Sequence, residues 1–448
     1  MRGIQIITDE NHERLEQEVF TAPTLKGATT LTIESEPSCK NFMGFGVAIT
    51  GSSCYNLSIM DEEKRAELIS KVYGKDGLNL SVARLSVGSS DYSAELYSYD
   101  DVPFDEKLEH FSIDKDRAYV IPMIKEILKV RPDLMIFASP WSPPGWMKTG
   151  GNLGGGYMRE KYVDVYADYI IKFVQAYEKE GIKIYGITPQ NESETQQDGT
   201  MPACDWHPDV EAKFIKSLKA KLTKAGIDLK IWAYDHNFVN ADRVLWTLDE
   251  HNLDKDVDGI AFHYYCGEVE ETLKITQKYP SLQLHFTEAG PRLYDNYGTD
   301  ARKWATMISR ALKCGYKSFT GWNLVLNEDG GPNIGPFFCG GLITYDRRDK
   351  SFAYSGQYKA FKQIAPYVSA QSVIYPITCN KQCGFNMPQF PKFVYPTEGF
   401  AVDNANEMVL VLVNNNEQKA QTQIECLGQN WYVELMPKTL STIIIKKQ

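Results

Sequence analysis

Two carboxylates in this 448-residue chain stand in matching places. Glu192 closes the run 184–192 (IYGITPQNE) and Glu288 closes the run 282–288 (LQLHFTE), 288 − 192 = 96 residues apart. Two carboxyls flanking a glycosidic bond are the apparatus of its hydrolysis. One protonates the leaving oxygen, and the other attacks the anomeric carbon when the pair lies roughly 5–5.5 Å apart. A single glutamate at a strand end is most often solvated or ion-paired. The pair, with Asn191 and Trp322 beside it at equivalent ends, is what points to sugar chemistry. Other run ends carry Tyr234-Asp235-His236-Asn237, His263-Tyr264-Tyr265 and Trp322-Asn323. None of the seven histidines falls in an H-E-x-x-H or comparable spacing, so no catalytic metal and no cofactor is expected.

The elements that must position these groups follow one rhythm. Eight short apolar runs, at 44–50, 80–86, 134–141, 184–192, 229–235, 257–265, 282–288 and 317–323, alternate with longer amphipathic stretches. The stretch 61–73 follows Ser58 and stops at Gly74, a capping pattern at its start and a stop at its end. The others are 162–180 before Gly181, 208–225 before Gly226, and 301–313 before Gly315. In 208–225 the residues Val210, Phe214, Leu218 and Leu222 recur every fourth position, one apolar stripe of a helix. Eight buried-type strands alternating with helices predict an α/β chain whose parallel sheet closes as a (β/α)8 TIM barrel. A doubly wound open sheet is the alternative, but no G-x-G-x-x-G loop follows the first strand.

Beyond about residue 368 the pattern changes to strand after strand: 393–395, 407–413, 421–426, 431–434 and 442–446. The run 28–34 (ATTLTIE) alternates in the same way. We therefore expect a smaller all-β sandwich built from the C-terminal region and the N-terminal strands, with divisions at 1–38, 39–366 (barrel) and 367–448. Its strands are apolar and few aromatics cluster in it, so its expected role is support of the barrel.

Several of these segments resemble glycoside hydrolase family 30, nearest its glucosylceramidase-like branch. They are Gln190-Asn191-Glu192, Phe286-Thr287-Glu288-Ala289 and Ser139-Pro140-Trp141-Ser142-Pro143-Pro144, then Ala83-Arg84-Leu85 with Ser90-Asp91-Tyr92-Ser93. His263-Tyr264-Tyr265, Gly321-Trp322-Asn323-Leu324 and the segment 326–333 (LNEDGGPN) match as well, so the likeness spans about 44–358. It implies Glu192 as acid/base and Glu288 as nucleophile of a retaining β-glycosidase. It further implies that Asp91, Trp141, Asn191 and Trp322 hold the glycone, with Arg84, His263, Tyr265 and Asn327 lining the site. Physical reasoning agrees with these roles. Asn191 can hydrogen-bond a sugar 2-OH, Arg84 can pair with the nucleophile and lower its pKa, and burial beside a second carboxylate would raise the acid. The chain departs from the family pattern at Ser193, where Pro is usual, at Gly321, where Asp is common, in the loop 194–197, and near 369–371, which lacks Pro-Gly. These departures bear on the substrate more than on the reaction.

Composition closes off other classes. With 48 basic against 58 acidic residues, a net charge of −10 and no Lys/Arg cluster, nucleic acid is not an expected partner. No window holds 18 uninterrupted apolar residues, so no membrane span is expected. The first residues lack the apolar core of a signal peptide, which predicts a cytoplasmic protein, or a secreted one if a leader has been removed. The sequon Asn191-Glu192-Ser193 weakly disfavours a eukaryotic secretory origin, because a glycan there would block the site. Nine scattered cysteines read as mostly reduced thiols. The expected partner is a carbohydrate or glycolipid, and the oligomeric state stays open. Hydrolysis of β-glucosidic bonds leads. An endo-β-1,6-glucanase or β-xylosidase is the alternative, ahead of a barrel using Glu192, Asp235 and Glu288 as Mg²⁺ ligands or a non-catalytic sugar-binding barrel.

Overall fold

The computed structural model describes the chain except residues 1, 10–13, 24–26, 196–198, 380–382, 388–390 and 448. Eight parallel strands close into a barrel: β1 (Gly44–Ala48), β2 (Val82–Val87), β3 (Met135–Pro140), β4 (Gly186–Ile187), β5 (Lys230–Asn237), β6 (Gly259–His263), β7 (Gln283–Glu288) and β8 (Ser318–Gly321). Each strand pairs with the next, and β8 returns to β1 with Ser318 opposite Gly44. Almost every strand residue is buried, as expected of a sheet covered by helices outside and packed side chains inside. β4 is short, yet Tyr185 N donates to Ile136 O and Thr188 N to Ala138 O, so its hydrogen bonds run past its two assigned residues.

The helices form where the apolar stripe and the stop signals agree. Pro208–Ala225 begins after His207, whose ring nitrogen accepts from Asp209 N, and ends at Gly226, whose φ of +67° is easy only for glycine. Ser58 does not cap the following helix. It belongs to an unanticipated helix, Gly51–Ile59, while Asp61 stands at the start of Glu62–Tyr73. A three-stranded sheet (Val325–Asn327, Ile343–Asp346, Ser351–Tyr354) and the helix Gly356–Ile364 follow β8.

Among the described residues the remaining strands are a two-stranded pair, Phe385–Asn386 with Phe393–Val394, and a ten-stranded sheet in which nine strands form one hydrogen-bonded path that folds into two layers while Cys39–Lys40 pairs off it. The strand Val373–Cys379 belongs to both: residues 373–376 pair with Thr397–Asp403, and residues 377–379 pair with Thr29–Ile33. Leu31, Ile377, Leu410, Ile424, Trp431 and Ile443 fill the space between the layers. An N-terminal hairpin, Arg2–Thr8 with Arg14–Phe20, continues one layer by pairing its first strand with Leu440–Lys446. The outer face of that layer packs on the helices Ala301–Lys313 and Gly356–Ile364. Among the described residues no helix is long and apolar enough to cross a membrane.

Candidate active site

Arg84 on β2 is fully buried, and its guanidinium is engaged on every side. Nε donates to Ser139 Oγ (3.1 Å), Nη2 to Asn191 Oδ1 (2.7 Å) and Asp235 Oδ2 (2.9 Å), and Nη1 to Glu288 Oε2. A buried cation without such partners would cost several kcal/mol, roughly 3–5 when one partner of a pair is removed. Trp141 and Trp322 cover the guanidinium. Its central carbon lies 4.8 and 5.5 Å from their ring centres, and the two rings stack at 5.2 Å.

Two β-bulges aim the next groups inward. β5 and β6 pair as far as Tyr234 opposite Ala261, after which His236 faces Phe262, so Asp235 is an extra residue. Tyr234 and Asp235 both have positive φ, 79° and 70°, a strained region for side-chain-bearing residues. β6 and β7 repeat the device with Thr287 as the extra residue, which brings Glu288 opposite His263. The two bulged residues meet, Thr287 Oγ1 donating to Asp235 Oδ1 at 2.6 Å. The Asp235 carboxylate also accepts from Ser139 Oγ (2.8 Å), Thr188 Oγ1 (2.7 Å) and Arg84, and bonds His263 Nε2 at 3.1 Å. It lies at the centre of the polar layer under the site. Burial alone would raise its pKa, but Arg84, His263 and Thr287 hold it far below the usual carboxylate range.

Glu192 follows β4 with a φ of 49°, its N–H donating to Asp235 O and its Oε1 3.1 Å from His263 Nδ1. Gln190 fixes the approach by donating to Trp141 O (2.6 Å) and Asn191 O (2.9 Å). Glu288 touches Arg84 and accepts from Tyr265 OH at 3.0 Å. One oxygen of Glu192, one nitrogen of His263 and one oxygen of Glu288 all lie within 4.8 Å of one another. A divalent ion could bridge such a trio. However, the guanidinium already on Glu288 and the charge on His263 oppose a further cation there.

The electrostatics of the site differ from the sequence expectation. Burial would lower the His263 pKa, but the surrounding Glu288, Asp235 and Glu192 carboxylates raise it to about 9. Burial would raise Glu192, yet the hydrogen bond from His263 and the His236, His263 and Arg84 charges bring it below its ordinary value. Burial and the Glu192 charge leave Glu288 above its ordinary value despite His263 and Arg84. A raised acid and a lowered nucleophile were anticipated, and the site has the reverse. For Glu192 the cause is the hydrogen bond and charge of His263, a pairing the sequence does not reveal, and for Glu288 it is burial beside the Glu192 charge.

Above these groups opens a cavity of about 340 Å³, lined among others by Asp91, Trp141, Asn191, Glu192, Tyr265, Glu288 and Trp322. Seven of the ten anticipated residues therefore meet at its surface. Arg84 and His263 lie fully buried and act on the two glutamates directly. Asn327 is not among the lining residues. Its carboxamide oxygen accepts from Asp329 N (3.0 Å) and Gly331 N (2.7 Å) and shapes its own loop. Asp91 is buried with Oδ1 unpartnered among the described residues, and burial followed by the charges of Glu288 and Glu192 holds its carboxyl well above the usual range.

Sequence reasoning missed His236, which lines the cavity 3.8 Å from Glu192 Oε1 and is driven by burial to a pKa of about 4. It also missed Arg292 at the wall, and the hydroxyls of Ser139, Thr188 and Thr287. Trp146, bonded to Asp100 O, and Trp206, packed on Tyr166 and Phe214, anchor loops. Gly321 has a packing reason, since a Cβ there would lie 2.4 Å from Gln357 Oε1. In the loop 194–197, Glu194 pairs with Arg243 at 2.6 Å, whereas Gln196 and Gln197 lie outside the described residues.

Residues 42–361 match the glycosyl hydrolase family 30 TIM-barrel domain. The chain belongs to glycoside hydrolase family 30. Like other members it is a hydrolase of glycosidic bonds, which makes a carbohydrate its substrate. The lysosomal acid glucosylceramidase of Mus musculus is 29% identical over 68% of this chain and 63% of that protein. The endo-1,6-beta-D-glucanase of Neurospora crassa is 28% identical over 77% of this chain and 74% of its own length. A solved endo-beta1,6-glucanase superposes on all of this family 30 chain and 99% of its own, with a TM-score of 0.85 and 26% identity.

Proposed function

We propose that this family 30 hydrolase is a retaining β-glycosidase acting on β-glucosidic bonds, with Glu288 as nucleophile and Glu192 as acid and then base. The spacing supports this reading most. Oxygens of the two carboxyls within 4.8 Å of each other fit direct attack, whereas an inverting pair stands roughly 6.5–9.5 Å apart to admit a water. In the first step a Glu288 oxygen bonds to the anomeric carbon as its bond to the leaving oxygen breaks, and Glu192 gives its proton to that oxygen. In the second step water attacks the same carbon, Glu192 takes its proton, and the bond to Glu288 breaks. Arg84 and Tyr265 OH hold Glu288 in line for attack. The proton that Glu192 must deliver is supplied by His263, 3.1 Å away. Substrate filling the cavity strips water from Glu192 and favours its neutral form.

Asn191 Oδ1 is committed to Arg84, which leaves its amide N–H groups for the sugar 2-OH. The unpartnered Asp91 Oδ1 suits hydroxyls at the far end of a glucosyl unit. Glucosylceramide is one candidate substrate. A second reading, endo-β-1,6-glucanase action, is favoured by the full-length likeness to a solved endo-β1,6-glucanase.

The test is hydrolysis of an aryl β-glucoside by wild type and Glu288→Gln with EDTA present, the anomer followed by NMR. Retained β-glucose from wild type, and several orders of magnitude less from the variant, is expected. Activity only on a xyloside or a β-1,6-glucan would move the substrate and keep the mechanism. Equal cleavage by both proteins would remove Glu288 from its role, and loss of activity in EDTA would restore the metal reading.

A further inference from the structure

A second cavity, of about 290 Å³, shares no residue with the catalytic one. It opens where the strand Arg2–Thr8 crosses the barrel's outer helices, between Thr8 on one side and Lys71, Tyr354, Tyr358, Lys359 and Lys362 on the other. Three lysines line this one crevice, and their positive charges favour an anion there. Their nearby acids are few. Glu67 takes one bond from Lys71 (2.6 Å), and Asp300 acts on Lys359 through its charge alone.

Most of the ammonium N–H groups are unspent. Lys71 Nζ donates to Glu67 Oε1 and Tyr354 OH and keeps one. Lys359 Nζ donates to Gly298 O at 2.7 Å and keeps two. Lys362 is exposed, with no protein acceptor among the described residues, and keeps all three. The wall of the crevice carries two phenol rings, Tyr354 and Tyr358, whose centres lie 4.5 Å apart. Gln363 closes the crevice. It is 7% exposed, its Nε2 is tied to Ile6 O (2.9 Å) and Leu440 O (3.1 Å), and its Oε1 has no partner among the described residues. Unspent cationic donors, ring faces and an orphan acceptor together describe a ligand with an oxyanion, an apolar ring face and a hydroxyl.

We propose that this crevice binds an anionic monosaccharide, a pyranose bearing a phosphate or a carboxylate. Its oxyanion lies on Lys359 and Lys362, its ring lies against the tyrosines, and a hydroxyl donates to Gln363. Such a ligand would pin the sandwich strand to the barrel helix and so raise thermal stability by mass action.

Calorimetric titration of the full chain with glucose 6-phosphate, glucuronate, glucose and inorganic phosphate tests this. We expect saturable binding of glucose 6-phosphate or glucuronate, and the one that binds identifies the oxyanion. Lys362→Ala and Lys359→Met should each weaken it about tenfold or more, the range of a charge-assisted contact. Glu288→Gln should bind as wild type does, and Lys362→Ala should keep wild-type hydrolysis of the aryl glucoside, which verifies its fold. The proposal is overturned if neither anionic sugar saturates, or if plain glucose or inorganic phosphate binds equally well. It also falls if both lysine variants bind normally, or if Glu288→Gln abolishes binding.

Discussion

Replacing Asp235 with Asn removes one charge and no volume from the centre of the polar layer. The carboxylate faces two cations, Arg84 at 2.9 Å and His263 at 3.1 Å, with all three side chains fully buried. At an effective dielectric near 20 each attraction is worth about 5 kcal/mol before desolvation, and removing one partner of a buried pair typically costs about 3–5 kcal/mol. Unfolding entropy of ~2.1 cal/mol/K per residue, about 0.9 kcal/mol/K over 448 residues, converts that into a Tm lower by about 3–5 °C. Freed from Asp235, Arg84 turns toward Glu288 and Asn191, so the nucleophile and the 2-OH donor shift together. A displacement of this kind costs about a hundredfold in kcat/KM. The assays are a thermal melt and kcat/KM on an aryl β-glucoside across pH. His263 loses one of the carboxylates that raise its pKa, so the alkaline limb should also move toward neutrality. Wild-type Tm, rate and pH profile together would refute the view that Asp235 holds Arg84 and His263.

Other perturbations separate parts of the structure. Tyr265→Phe removes the donor at 3.0 Å from Glu288 Oε1, and kcat should fall about 5–10-fold with KM little changed; an unaltered kcat would show that bond to be idle. His263 is raised from 6.5 to about 9, so its contribution to folding, on the order of 3 kcal/mol, is complete below pH 6.5 and is lost as pH rises through 9. Urea midpoints measured from pH 6 to 10 should decline across that window in wild type and stay flatter in His263→Gln. Asp116 is buried and accepts from Tyr97, Tyr99 and Tyr177, each at 2.5 Å. Asp116→Ala strands three phenols and should cost about 3–6 kcal/mol in urea unfolding, and a loss under about 1 kcal/mol would contradict this account. Gly321→Asp alone should destabilise by collision with Gln357, and adding Gln357→Gly should restore more than about 1 kcal/mol; strict additivity of the two would disprove the collision.

The barrel was legible because a strand buried on both faces leaves an unbroken apolar signature, and because helix stops such as Gly226 sit where the stripe ends. Glu192, Glu288 and their companions were legible because strand ends of a closed barrel converge. Bulges were not legible. An extra residue with positive φ at Asp235 looks in sequence like one more strand position, and the hydroxyls of Ser139, Thr188 and Thr287 look like ordinary strand residues until a shared carboxylate unites them. The reversed pKa order of the glutamates likewise depends on one imidazole reaching both Glu192 and Asp235. The N-terminal hairpin was hidden for simpler reasons. Gln5 is fully buried and breaks the apolar alternation, bonding Glu434 O and Ser441 Oγ, and residues 15–20 are exposed except Val19. The place of Asn327 away from the cavity lining was not legible either, because an asparagine whose oxygen holds its own loop has the same letter as one that lines a cavity.

The pairing of Gly3 with Ile445 joins strands 445 − 3 = 442 residues apart. On the ribosome, the hairpin Arg2–Thr8 with Arg14–Phe20 emerges before the barrel, yet its inner edge has no neighbour until Leu440–Lys446 has followed the barrel. The barrel between them can close in the meantime, since each strand needs only the one before it and β8 finds β1 already waiting. The sandwich is therefore completed after the barrel, and through that interval an unpaired strand edge stays available to other nascent chains. Synthesis rate and chaperone supply should affect the yield of this protein through the sandwich before they affect its catalytic centre.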